Sequence, residues 1–174
     1  LVRDDRQGSG DMEDRDEGDL FDATSWAPGD TISDGNKAKL DLNGWYVDLA
    51  DKEKSLANPL IYNGNVFFTA YTPPANAADA PEECTGSALG DGYFYAVSVA
   101  DASPPFDLVD ENHTNLENRK IKLNSQGIPG DPIIMNGDTG PLIFAGGDVI
   151  KDIHGESPLS SDSFRQEFWI DLFD

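Results

Sequence analysis

The chain has 174 residues, enough for one domain with a sizeable buried core. Thirty-three acidic residues against twelve basic ones give a formal charge of −21, which argues against binding to phosphate backbones or anionic lipid surfaces and either favours bound cations or serves only to keep the chain in solution. No run approaches the roughly 18 consecutive apolar residues of a membrane span, the single Cys84 forbids a disulfide within the chain, and the isolated His113 and His154 make a Cys/His zinc site improbable.

Residues 1–43 read as an acidic, loop-rich N-terminal segment. The run from Asp11 to Asp19 has neither a helical nor a strand period that would bury a face, so a solvated loop is expected there. Only a short helical turn is expected, from Lys37 to Leu42. The first residue is Leu1 and not Met, which suggests processing or a longer parent polypeptide.

Residues 44–174 read as short antiparallel strands punctuated by Gly, Pro, Asn and Asp. Trp45, Val47 and Leu49 alternate along one side of a strand. Pro59–Tyr62 and Asn65–Tyr71 flank Asn63-Gly64, a pair that tolerates positive φ at both positions and so predicts a two-residue type I′ hairpin. Tyr93–Val99 is a further strand, rich in aromatic and β-branched residues. Asp131–Met135 and Pro141–Ala145 bracket a second Asn-Gly, Asn136-Gly137. In Glu167–Phe173 the residues Phe168, Ile170 and Leu172 share one face and Trp169 and Phe173 the other, as in a strand with neighbours on both sides.

Two of these hairpins repeat each other. Pro59-Leu60-Ile61-Tyr62-Asn63-Gly64 aligns with Pro132-Ile133-Ile134-Met135-Asn136-Gly137, identical at four of six positions. A repeated hairpin unit is the mark of a propeller or related repeat fold, although the spacing exceeds the roughly 40–50 residues of a compact blade. The excess lies in the Tyr71–Gly90 and Ala102–Asn118 segments.

No catalytic constellation is apparent. His113 lies in a polar segment, His154-Gly155 reads as a turn, and adjacent acids such as Asp4/Asp5 and Glu82/Glu83 point apart or into solvent. Gly8-Ser9-Gly10 and Gly146-Gly147 lack the Lys and helix of a phosphate loop. Asn112-His113-Thr114 matches the glycosylation sequon in form only. Trp45, Tyr46, Phe67, Phe68, Tyr71, Tyr93, Tyr95, Phe168 and Trp169 are expected mostly in packing, with Tyr71 and Trp26 as candidates for a ligand-contacting surface.

An ordered series of segments resembles the C-terminal β-propeller of PilY-type type IV pilus biogenesis and tip-adhesin proteins. It runs through Leu20–Thr24, Asn43–Leu49, Lys54–Leu60, Val66–Pro73, the Cys84–Gly92 loop, Gly92–Val97 and Gly127–Ile134. The resemblance implies an all-β, partial propeller of quinoprotein-like blades. It also implies an extracellular, pilus-associated location and a non-catalytic role in pilus assembly and surface adhesion. Its partners would be pilin or minor-pilin subunits or the upstream part of the same protein, and open sheet edges invite self-association. The family carries a calcium loop of alternating Asp and Asn, which the resemblance places upstream of Leu1. The nearest counterpart here is Asp14, Asp16, Asp19 and Asp22, spaced around Gly18, with a second acidic turn from Asp30 to Asn36. Two other readings share the architecture: a fragment of a quinoprotein-like dehydrogenase, and the subunit of a self-associating surface fibre.

Overall fold

The computed structural model describes residues 17–74, 89–112, 114–137, 140–152 and 154–159. A short 3-10 turn, Glu17–Asp19, leads into β1 (Phe21–Asp22). The helix α1 (Asp34–Leu42) starts three residues before the turn expected at Lys37. Ser33 explains the difference: its extended backbone and its hydroxyl, which accepts the Asn36 N–H, cap the first turn, and Asp34 sits at the positive end of the helix dipole. Gly44, at φ 102°, then turns the chain into β2 (Trp45–Tyr46). β1 and β2 pair in parallel, Phe21 beside Trp45, so the N-terminal segment contributes a strand to the packed structure.

The central sheet has the order β3 (Leu60–Tyr62), β4 (Asn65–Thr72), β5 (Asp91–Ser98), β6 (Lys120–Gln126), all antiparallel. Asn63 and Gly64 have φ of 48° and 75° between the paired Tyr62 and Asn65, which is the expected type I′ geometry. A third sheet consists of β7 (Ile133–Gly137), β8 (Gly140–Ala145) and β9 (Asp148–Ile150). The second Asn-Gly departs from the expected turn position. Asn136 pairs with Pro141 and Gly137 with Gly140, so the second Asn-Gly lies inside the ladder and the connection falls at positions 138–139, outside the described residues. Extension of the ladder by two residues is what displaces the turn. The expected strand Glu167–Phe173 and residues 84–88 of the expected Cys84–Gly92 loop also lie outside the described residues, whereas Asp91 and Gly92 of that loop begin β5.

Of the described residues 37% are strand and 12% helix, in small and mainly antiparallel sheets, and those residues close neither a barrel nor a propeller ring. No helix among them is long and apolar enough to cross a membrane.

Strand alternation gives the central sheet two apolar faces. Phe67, Phe94, Ala96 and Leu123 meet Ile143, Ala145 and Ile150 of the third sheet, together with Leu108 and Leu159. On the opposite face Val66 and Val97 meet Phe21, Ala23, Trp45 and Ala102, with Phe68, Trp26 and Val47 at the margin. The central sheet is therefore the middle layer of three.

Two Asn–Asp pairs join the central and third sheets. Asn58 donates its backbone N–H (2.8 Å) and its side-chain amide (2.9 Å) to the two carboxylate oxygens of Asp131. Asn124 does the same to Asp148, at 2.6 and 3.4 Å. Asn58 and Asp131 precede the two repeated prolines, so equivalent positions of the repeat bind each other. The side-chain and then the backbone hydrogen bond from Asn58 hold the Asp131 carboxyl below its ordinary value. A carboxyl depressed in the folded state stabilises fully above its unfolded value, near pH 4, and that contribution is lost as pH falls through the folded value. Asp131→Asn should therefore be destabilising at neutral pH, and the gap to the unaltered chain should narrow below about pH 4. Urea unfolding across that range measures the gap, and a gap that is flat in pH would disprove the assignment.

Candidate functional site

The expected calcium ligands divide. Asp14 and Asp16 lie outside the described residues. Asp19 ends the 3-10 turn and its backbone carbonyl accepts the Asn43 side-chain amide at 2.9 Å. Asp22 closes β1 and its carboxylate accepts the Thr24 N–H at 2.9 Å, a local turn. Bonds from the Thr24 hydroxyl and N–H, and from Tyr46, hold this exposed carboxyl below its ordinary value. Among the described residues no three His, Cys, Asp or Glu side chains stand together as a metal cluster. His154 sits in a turn, with its N–H donating to Asp152 and Gly155 at φ 78°, whereas His113 is not described.

The most organised polar group lies elsewhere, on the face of the central sheet that meets β1 and β2. Register places Lys120 of β6 directly beside Tyr95 of β5. The loop after β2 delivers Glu53 beneath them, its side chain wholly enclosed. One Glu53 carboxylate oxygen accepts the Tyr95 hydroxyl at 2.9 Å, the Ala50 N–H at 3.0 Å and the Lys120 ammonium at 3.2 Å. Lys120 also donates to the Tyr95 oxygen at 3.1 Å and lies 4.4 Å above the Tyr93 ring. Burial raises the Tyr95 phenol above its ordinary value, and the Glu53 charge and hydrogen bond raise it further. Beside this group Lys122 pairs with Asp91 at 2.8 Å on the surface.

Tyr95 stacks on Phe68 with ring centroids 4.7 Å apart, and both line a cleft of about 280 Å³. Leu20, Trp45, Tyr46, Val47 and Val97 complete its walls. The cleft is apolar because the two-residue β2 and its flanks leave part of the apolar face of β4 and β5 uncovered. Trp45 is fixed by its indole N–H, which donates to the Val99 carbonyl at 2.9 Å. Chemically the arrangement offers an aromatic slot walled in part by Tyr95, whose hydroxyl is joined to Lys120 and Glu53. It fits an apolar side chain whose neighbouring group carries negative charge or accepts a hydrogen bond.

No family model, curated protein or solved structure matches the chain. The site is therefore read from its own chemistry.

Arg119 is the second buried group that sequence reading missed. It ends the 3-10 turn Leu116–Arg119, and its guanidinium donates to the carbonyls of Ala23 (2.8 Å), Thr24 (3.1 Å) and Trp26 (2.9 Å). Desolvation lowers its affinity for the proton, partly opposed by the charge of Asp101. Asn118, fully buried next to it, accepts the N–H groups of Val109 and Asp110 and donates to the carbonyls of Asp110 and Asn112. Trp26, expected as a ligand-contacting aromatic, is instead half-buried edge-on against Phe21 beneath this clamp. The signal for β6 was the alternation of Ile121 and Leu123 with Lys120 and Lys122, which a strand with one buried face requires.

Proposed function

We propose that the chain is a non-catalytic binding and assembly module of a bacterial cell surface. In this reading it is a run of propeller blades like those at the C-terminal end of PilY-type pilus proteins. The observation that carries the reading is the face-to-face stack of small sheets. The two hairpins that share four of six positions lie in neighbouring layers, tied at the Asn58 and Asp131 positions that precede the repeated prolines. Blades that stack in this way leave their outermost faces and strand edges to whatever adjoins them. Pilin or minor-pilin subunits are the partners we assign, and the aromatic cleft beside Lys120 is where we place their contact. Calcium, held by Asp14, Asp16, Asp19 and Asp22, belongs to the same proposal as a regulator of the acidic segment.

The test is surface-plasmon binding of the purified chain to immobilised minor pilins, in calcium and again in chelator. Saturable binding that weakens for Val47→Asp, which places a charge in the cleft, is the expected result. Absence of binding in both conditions would remove the pilus assignment. Dye-linked alcohol oxidation after loading with a quinone cofactor would replace it with the dehydrogenase reading.

A further inference from the structure

The third sheet has a second apolar face. β7, β8 and β9 turn Ile134, Ile143, Ala145 and Ile150 towards the central sheet. Register puts Ile133 beside Phe144, Met135 beside Leu142 and Phe144 beside Val149, all on the outward side. Ile133, Met135 and Val149 are 51%, 53% and 41% exposed, values far from those of a finished apolar layer. The patch continues into a groove of about 430 Å³ lined by Ile128, Pro129, Ile133 and Phe144. Ile128 is itself exposed.

The internal repeat says what such a face is for. Leu60 and Tyr62 of β3 occupy the positions of Ile133 and Met135 in β7, and both pack against the core that the third sheet covers. Phe67, the register partner of Leu60, is fully buried there and stacks on Phe94 and Phe106. Phe144, the register partner of Ile133, holds the corresponding place. In the first hairpin this face is covered by the next layer of chain, and in the second the same positions carry the same kinds of side chain with no covering layer among the described residues.

We propose that this outward face is the docking surface for the segment Glu167–Phe173 of the same chain. Three stretches of more than a few residues lie outside the described residues. Residues 1–16 are polar and acidic and residues 75–88 are mostly Ala, other small residues and acidic ones, so only 160–174 supplies a dense apolar set: Phe164, Phe168, Trp169, Ile170, Leu172 and Phe173. Its alternation presents Phe168, Ile170 and Leu172 on one side, the pattern that matches a row of Ile, Met and Phe. The lead-in is placed for it. Leu159 is buried in the core, and the Ser157 hydroxyl donates to the Pro141 carbonyl of β8 at 2.6 Å. Eight residues from Leu159 to Glu167 reach up to about 26 Å, enough to round a sheet of three strands about 4.8 Å apart. A second copy is the poorer occupant, because each chain brings a charge of −21 to the contact. The inference does not depend on the pilus assignment.

The test uses the full chain with Cys84→Ser and one new thiol, Met135→Cys on the face or Ile61→Cys as an exposed control on the first hairpin. Maleimide should label position 135 several-fold more slowly than position 61. Either removal of residues 160–174 or the full-length pair Ile170→Asp with Leu172→Asp should raise the rate at 135 to that at 61, with the rate at 61 unchanged. Equal rates at both positions in the otherwise unaltered chain would overturn the proposal. So would protection of position 135 that survives both tail changes, or that disappears on dilution, since the cover would then be another part of the protein or a second copy.

Discussion

Arg119→Ala should lower the free energy of unfolding by about 3–5 kcal/mol, the sum of about 1–3 kcal/mol for each enclosed carbonyl left without its donor and of the packing lost with the side-chain stem. The side chain spans two layers. It leaves the chain just before β6 in the central sheet and ends on three carbonyls of the Ala23–Trp26 loop that follows β1. Those carbonyls have no strand partner to fall back on, because β1 is two residues long and pairs only with β2. Without the guanidinium, three acceptors lose their donor in a place water reaches poorly, and the lost stem leaves a cavity beside Ala23. Arg119→Lys should recover only part of the loss, since a point charge cannot serve three acceptors spread across a planar fork. Urea unfolding followed by tryptophan fluorescence reads both the loss and its location, because Trp26 and Trp45 lie in that layer. A change below about 1 kcal/mol for Arg119→Ala, the size of one ordinary hydrogen bond, would show that the clamp is decorative.

Most of the strands are legible from local pattern, and the layers are not. Asn63-Gly64 announces its hairpin because only residues tolerant of positive φ can hold both turn positions, and the register follows from the turn. The same dipeptide at Asn136-Gly137 misleads: its local preference is outweighed by two further ladder pairs, with Pro141 and Gly140. β9 is three residues long and carries no period to detect, so its existence depends on β8 and on the Asn124–Asp148 pair. β1 is hidden for a similar reason, since a two-residue strand in an acidic segment is stabilised by Arg119, nearly a hundred positions away. The candidate site was half legible. Trp45, Tyr46, Phe68 and Tyr95 stand out as packing aromatics, but nothing local in Ala50-Asp51-Lys52-Glu53-Lys54 distinguishes Glu53 from its charged neighbours. Long-range burial singles it out, and long-range burial is what a local pattern omits.

Glu53→Ala should cost about 2–3 kcal/mol, less than the 3–5 of a fully enclosed ion pair because its partner Lys120 is a third exposed and can turn to water. Tyr95 cannot turn away, being stacked on Phe68 and held in the middle of β5. Its hydroxyl would keep only Lys120, which can donate to it but not accept from it, so the phenol proton would lose its acceptor. The pH dependence separates this role from simple packing. Tyr95 ionises above its ordinary value in the folded chain because burial, and then the Glu53 charge, oppose a phenolate. A group whose folded value is raised stabilises fully below its unfolded value, about pH 10 for tyrosine, and loses that contribution as pH climbs beyond it. Alkaline titration by near-ultraviolet absorbance should therefore show one of the five tyrosines ionising after the others, together with a fall in stability above pH 10. Glu53→Gln retains an acceptor for the hydroxyl and removes the charge, so it should be milder than Glu53→Ala at neutral pH while bringing the late tyrosine down towards the rest. A late tyrosine unmoved by Glu53→Gln would mean that burial alone sets its ionisation, and that the carboxylate holds Lys120 beside Tyr95 without tuning the phenol.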